Sequence, residues 1–181
     1  MPICPFATRD PNGFDADAGV YTGGPFRIVL HTTENSNAAS DLSEFDSHWA
    51  PHFLADGTEI YQLLDTGVAA SALRHVGPPE TNKLSAVQIE MVGFAGKAKD
   101  PATLANVRKL CRWIEITHSI PRVWPNGFCV PAVNGQDSNH HNRSVAGWMQ
   151  GGYFGHEHVP NQTHWDPALT KAETDFLMAD A

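Results

Sequence analysis

Residues 84–118 read LSAVQIEMVGFAGKAKDPATLANVRKLCRWIEITH, and the hydrophobic period changes partway along the stretch. In Leu84–Val92, Val87, Ile89 and Met91 point one way while Gln88 and Glu90 point the other, which is the two-residue repeat of a strand. From Pro101 to His118, Leu104, Val107, Leu110, Cys111 and Ile114 follow the helical repeat. Asp100 suits the N-cap, and Pro101 suits the first helical position, where its missing N–H has no partner to lose. Pro121 stops the helix. Strand followed by helix is the unit from which α/β domains are assembled.

Working outward, residues 26–33 (FRIVLHTT) form an apolar run bounded by Pro25 and the polar ENSN, and predict a buried strand ending at His31. Asp41–Trp49 predicts a short helix capped by Ser40 or Asp41, with Leu42, Phe45 and Trp49 on one face. His52–Leu54 and Glu59–Leu64, separated by a turn at Asp56–Gly57, predict a hairpin. Residues 1–25, rich in Pro, Gly and Asp, read as an irregular N-terminal arm, and residues 122–152 read as loop. Tyr153–Phe154 lead into His156, and Pro167–Met178 predict a closing helix. There is no repeat and no linker, so the 181 residues read as one α/β domain.

Composition narrows the function. A formal net charge of −8 argues against nucleic acid as partner, because binding a phosphate backbone rests on Lys and Arg. No apolar run reaches the roughly 18 residues of a membrane span. The N-terminus MPICPFATRDPNGF lacks a basic region followed by an apolar one, so it is not a standard secretory signal. Cys4, Cys111 and Cys129 exclude a disulfide framework, leave room for one bridge, and otherwise read as buried thiols. Ten histidines are a high count, and five of them lie between 140 and 164. Histidine is the commonest metal ligand and titrates nearest neutrality.

Three places could carry chemistry. Glu90 shares a strand face with Gln88. That face is either solvated or the base of a cleft, where burial would fit a carboxylate for general-base work. His31 ends a buried strand, as a packed histidine or as a ligand. The tract 155–167, GHEHVPNQTHWDP, offers three imidazoles and a carboxylate, donors that zinc takes. The spacing does not choose between His156 with Asp166 and a pair involving His158 or His164. Asn139–Arg143 (NHHNR) superficially resembles a metal-nuclease motif, against which the net charge counts.

Taken together and in this order, four stretches resemble the zinc-dependent type 2 N-acetylmuramoyl-L-alanine amidases, which include phage endolysins, cell-wall recycling amidases and peptidoglycan recognition proteins. The stretches are IVLHTTENSN (28–37), HFLADGTEIYQLLD (52–65), AVQIEMVGFAG (86–96) and GHEHVPNQTHWDP (155–167). The closing tract looks most like endolysins of phages that infect actinobacteria.

The resemblance implies a central mixed β-sheet flanked by α-helices, with a catalytic domain over 26–181. It implies Zn2+ held by His31, His156 and Asp166, with Glu90 as the catalytic base. Many members carry a lysine two residues before the last ligand as oxyanion donor. Here that place holds His164, which can donate when protonated or from a neutral ring nitrogen. Some relatives have a tyrosine before the hairpin's HF, where this chain has Pro51. Trp148, Tyr153, Trp165 and Asn126 are candidates to line a substrate groove. The implied partner is bacterial peptidoglycan, with no nucleic acid and no membrane insertion; the sequence does not reveal an oligomeric state. The implied location is the host cytoplasm before lysis, with action at the cell wall. The other readings are a non-catalytic peptidoglycan-binding module of the same fold and an amidase of soluble muropeptides.

Overall fold

The computed structural model describes residues 2–10, 17–45, 49–73 and 77–180. Six strands form one mixed sheet in the order β1-β4-β3-β5-β2-β6. They are β1 Thr8–Arg9, β2 Arg27–Thr32, β3 Phe53–Ala55, β4 Ile60–Gln62, β5 Ala86–Met91 and β6 Gly152–Gly155. Only β3 and β4, the expected hairpin, run antiparallel. β5, β2 and β6 are parallel neighbours in the middle and at one edge. Every residue of β2 and of β5 is buried. The solvated alternative for the Gln88–Glu90 face therefore does not hold. Parallel strands covered on both sides bury both sets of alternating side chains.

The helices are α1 Ala38–Phe45, α2 Pro101–His118, the single turn α3 Val145–Trp148, and α4 Lys171–Met178. α2 occupies the predicted span. Asp100 accepts from Thr103 N at 2.9 Å, and Ser119 closes the helix in the left-handed conformation. Leu104, Val107, Leu110 and Ile114 of α2 and Leu177 of α4 pack on Ile28, Leu30, Val87, Ile89 and Met91. The opposite face carries Val29, Phe154 and Trp148 in one cluster. There Leu54, Leu63 and Leu64 form another, against Leu42 and Phe45 of α1.

Four local expectations are corrected. α1 begins earlier than expected because Asn37 Oδ1 caps it, accepting from Ala39 N at 3.0 Å and Ser40 N at 3.3 Å. Residues 46–48 of that expected helix lie outside the described residues, and Trp49 has φ +61° and is exposed. The closing helix starts at Lys171, not Pro167, because Thr170 and Glu173 form a capping box. Within the expected loop 122–152, Ser144 caps the turn α3. In the N-terminal arm, whose residues 11–16 lie outside the described residues, Thr8–Arg9 extend the sheet beside Tyr61–Gln62. The three cysteines are free and buried.

Candidate metal centre

Register brings the site together. In the β2–β5 ladder His31 is the partner of Glu90. In the β2–β6 ladder Leu30 is the partner of Gly155, so the next residue, His156, arrives beside His31. These parallel strands end together, and the crevice beyond their carboxyl ends is where α/β sheets place ligands.

Beyond β6, residues 156–158 form one 3₁₀ turn, and the chain then returns to lay Asp166 over the same point. Glu157 N donates to Asp166 O at 2.9 Å, and Thr32 N donates to Asp166 Oδ2 at 3.2 Å. Gly155 permits this close return, since a Cβ there would lie 2.8 Å from Pro167 Cδ.

His31 Nδ1 and His156 Nδ1 lie 3.0 Å apart. Asp166 Oδ1 is 3.3 Å from His156 Nδ1, and Oδ2 is 3.8 Å from His31 Nδ1. All three residues are buried, and their ligating atoms lie within 4.8 Å of one another; among the described residues no other such group of donors forms. Glu90 Oε1 stands 3.8 Å from His31 Nδ1, while Glu90 Oε2 is buried without a hydrogen-bond partner. His164 lies at the rim, its Nδ1 3.7 Å from Asp166 Oδ1 and its side chain 52% exposed.

Burial, with His156 adding to it, holds the His31 imidazole well below its ordinary pKa and so neutral, the form that binds a metal. Burial, reinforced by Asp166, pushes the Glu90 carboxyl well above the usual range. Burial also works against ionisation of Asp166, but His156 beside it outweighs that and holds Asp166 below the usual carboxylate range. The site thus pairs one carboxylate kept ionised with one inclined to take a proton.

Of the donors left open within 155–167, the structure brings His156 and Asp166 to His31. His158 turns away: its Nδ1 accepts from Gly155 N at 3.0 Å, and its ring packs edge-on to Trp124. Three of the groove candidates are interior. Trp148 and Tyr153 are fully buried and Asn126 is 4% exposed. Tyr153 donates its hydroxyl to Glu115 at 2.6 Å, and Asn126 donates to the Ser144 and His158 carbonyls. Sequence reasoning overlooked Glu157 and His141, whose carboxylate–imidazole contact of 2.8 Å backs the ligand turn. Their separation of sixteen residues leaves no periodic signal.

An α/β domain with two imidazoles and a carboxylate converging at the ends of parallel strands falls in the class of proteins that could hold a metal ion there. Within that class, the family model described as N-acetylmuramoyl-L-alanine amidase matches residues 22–169, and the chain belongs to this family. The whole fold is similar to that of the hydrolase AmiA of Staphylococcus aureus, solved in complex with its ligand (14% identity, 98% of this chain, 83% of that one, TM-score 0.63). It is similar to AmpD (14% identity, 97% and 96%, TM-score 0.58). It is also similar to the N-acetylmuramoyl-L-alanine amidase LysC from Clostridium intestinale URNW (16% identity, 88% and 87%, TM-score 0.55). At such identities these likenesses speak for the fold. No curated protein sequence matches the chain significantly.

Proposed function

We propose that this amidase uses zinc to cleave the amide between N-acetylmuramic acid and L-alanine in bacterial peptidoglycan. The observation that carries the reading is the buried convergence of His31, His156 and Asp166 beside the unpartnered oxygen of Glu90. The donor chemistry fits zinc: two imidazole nitrogens and one carboxylate oxygen are the three protein ligands of a catalytic site that keeps a fourth position open. The inward Nδ1 atoms of His31 and His156 face each other, and the outward Nε2 atoms are buried without partners.

Zinc held there supplies Lewis acidity, which polarises a carbonyl and lowers the pKa of water from about 15.7 towards about 7. Glu90 takes a proton from the attacking water as oxygen bonds to the lactyl carbonyl carbon. His164, at the open rim, donates a hydrogen bond to the carbonyl oxygen as negative charge develops there. The C–N bond then breaks, and the proton held by Glu90 passes to the amine of L-alanine. Asp166 stays ionised throughout, and His31 stays neutral.

The four ordered stretches, with the HVP and HWDP elements of the closing tract, favour an endolysin of a phage of actinobacteria, acting on polymeric wall. The enzyme would then collect in the host cytoplasm and reach the wall at lysis, with 26–181 as its catalytic domain and 1–25 as an arm. No helix among the described residues is long and apolar enough to cross a membrane.

Mass spectrometry of purified peptidoglycan after digestion tests the reaction. Free stem peptides with an L-alanine amino terminus are expected, lost with a chelator and restored by zinc. Intact wall in every arm would overturn the reading.

A further inference from the structure

The two ligands His156 and Asp166 stand at the ends of an irregular segment, with only the 3₁₀ turn of 156–158 between them. Of its internal backbone bonds, Glu157 N to Asp166 O joins the two ends of the loop. Other contacts come from Thr32, Pro78, Asn126 and Val130, and from one short tract, Asn139–Arg143, that reaches both ends of the loop.

Glu157, adjacent to His156, is fully buried. Its Oε2 accepts from Val130 N at 3.0 Å and faces His141 Nδ1 at 2.8 Å. The other nitrogen of His141 faces Asp137 Oδ1 at 2.6 Å, and the His141 side chain is 3% exposed. At the far end of the loop, Arg143 Nη2 donates to the carbonyl of His164, two residues before Asp166, at 2.7 Å. Between these grips, Asn142 Nδ2 donates to Asn126 O at 3.0 Å. Asn126 in turn donates to His158 O at 3.3 Å. A single tract therefore holds both flanks of the ligand loop.

We propose that Asn139–Arg143 is a clamp in which His141 and Arg143 act as positioning residues, setting the separation of the metal ligands His156 and Asp166. The inference rests on the zinc reading above. Groups behind the ligands fix ligand orientation, and losing one such partner typically weakens metal binding about 10–100-fold. An irregular loop with no sheet pairing of its own depends on such groups more than a strand does.

Zinc affinity, measured by competition with a chromogenic chelator, tests the clamp on the full chain and on three variants. His141→Gln and Arg143→Met are each expected to weaken zinc binding several-fold, less than the about 10–100-fold of losing a partner bonded to a ligand itself. Arg143→Lys, which can still donate to the His164 carbonyl, is expected to recover most of the loss. The Tm of the metal-free protein serves as control. A purely structural role would lower that Tm and leave the zinc affinity of the folded protein unchanged. Wild-type affinity in both His141→Gln and Arg143→Met would overturn the clamp. Should His141→Gln fail to fold, the comparison of Arg143→Met with Arg143→Lys decides alone. A wild-type chain that binds no zinc would overturn the metal reading itself, and the clamp with it.

Discussion

The ring of His164 lies flat on that of His156, with centroids 4.1 Å and planes 7° apart. A lysine, which many relatives carry at this place, has no ring to stack. The stacking sets His164 beside Asp166 and orients its ring, where a lysine would offer a flexible stem.

His164→Ala is accordingly expected to lower kcat by about 10²–10³, the usual effect of losing one oxyanion donor. His164→Lys should restore much of the rate. Because the side chain is 52% exposed, Tm should change little in either variant. A fully active His164→Ala enzyme would remove the residue from the mechanism.

Glu90→Gln keeps the shape of the side chain and removes its capacity to take a proton. Turnover of peptidoglycan should fall at least about 10²-fold, while elemental analysis still finds one zinc per chain. An active Glu90→Gln variant would sink the proposed base.

Asp166→Ala should bind no stoichiometric zinc, since it removes the anionic ligand and leaves His31 and His156 alone. In the wild-type chain, zinc at about 100 times its Kd should add about 2.7 kcal/mol of stability. For a domain of this size that amounts to roughly 5–10 °C in Tm. Calorimetry with and without chelator reads the shift, and an unchanged Tm would contradict a folded-state metal site.

A pH effect is expected at His52, which is not one of the converging donors. It is fully buried. Its Nδ1 accepts from Gln88 N at 3.0 Å, and its Nε2 lies 3.0 Å from Val68 O. Burial pushes its pKa down to about 4 from an ordinary 6.5. Between those values the unfolded chain binds the extra proton. The contribution of His52 is therefore complete above pH 6.5 and is lost as pH falls towards 4, by up to about 1.4 kcal/mol per pH unit. Urea unfolding across this window should show a shallower pH slope in His52→Gln than in wild type. Equal slopes would refute the assignment.

Local sequence rules reached the elements whose signals lie within a few residues. The Asp100 cap, the helical repeat to His118 and the alternation around Glu90 all matched the structure. They misplaced the start of α1, which Asn37 caps in place of Ser40 or Asp41, and that of α4, which Thr170 caps. They also left the Gln88–Glu90 face undecided between solvent and a cleft, because alternation reports that a face is polar without reporting what packs over it.

The sequence by itself determined β2, the β3–β4 hairpin, β5, α1, α2 and α4 in their order, and the donors available to a metal. It could not decide which histidines of 155–167 face the centre. His31 and His156 are 125 residues apart, and Thr32 and Asp166 are 134 apart. Only strand register, and a turn that sends His156 inward and His158 back towards Trp124, brings the right imidazoles together. Periodicity governs neighbours three or four residues away along the chain, whereas convergence of ligands depends on contacts across the sheet, which exist only once the parallel strands have paired.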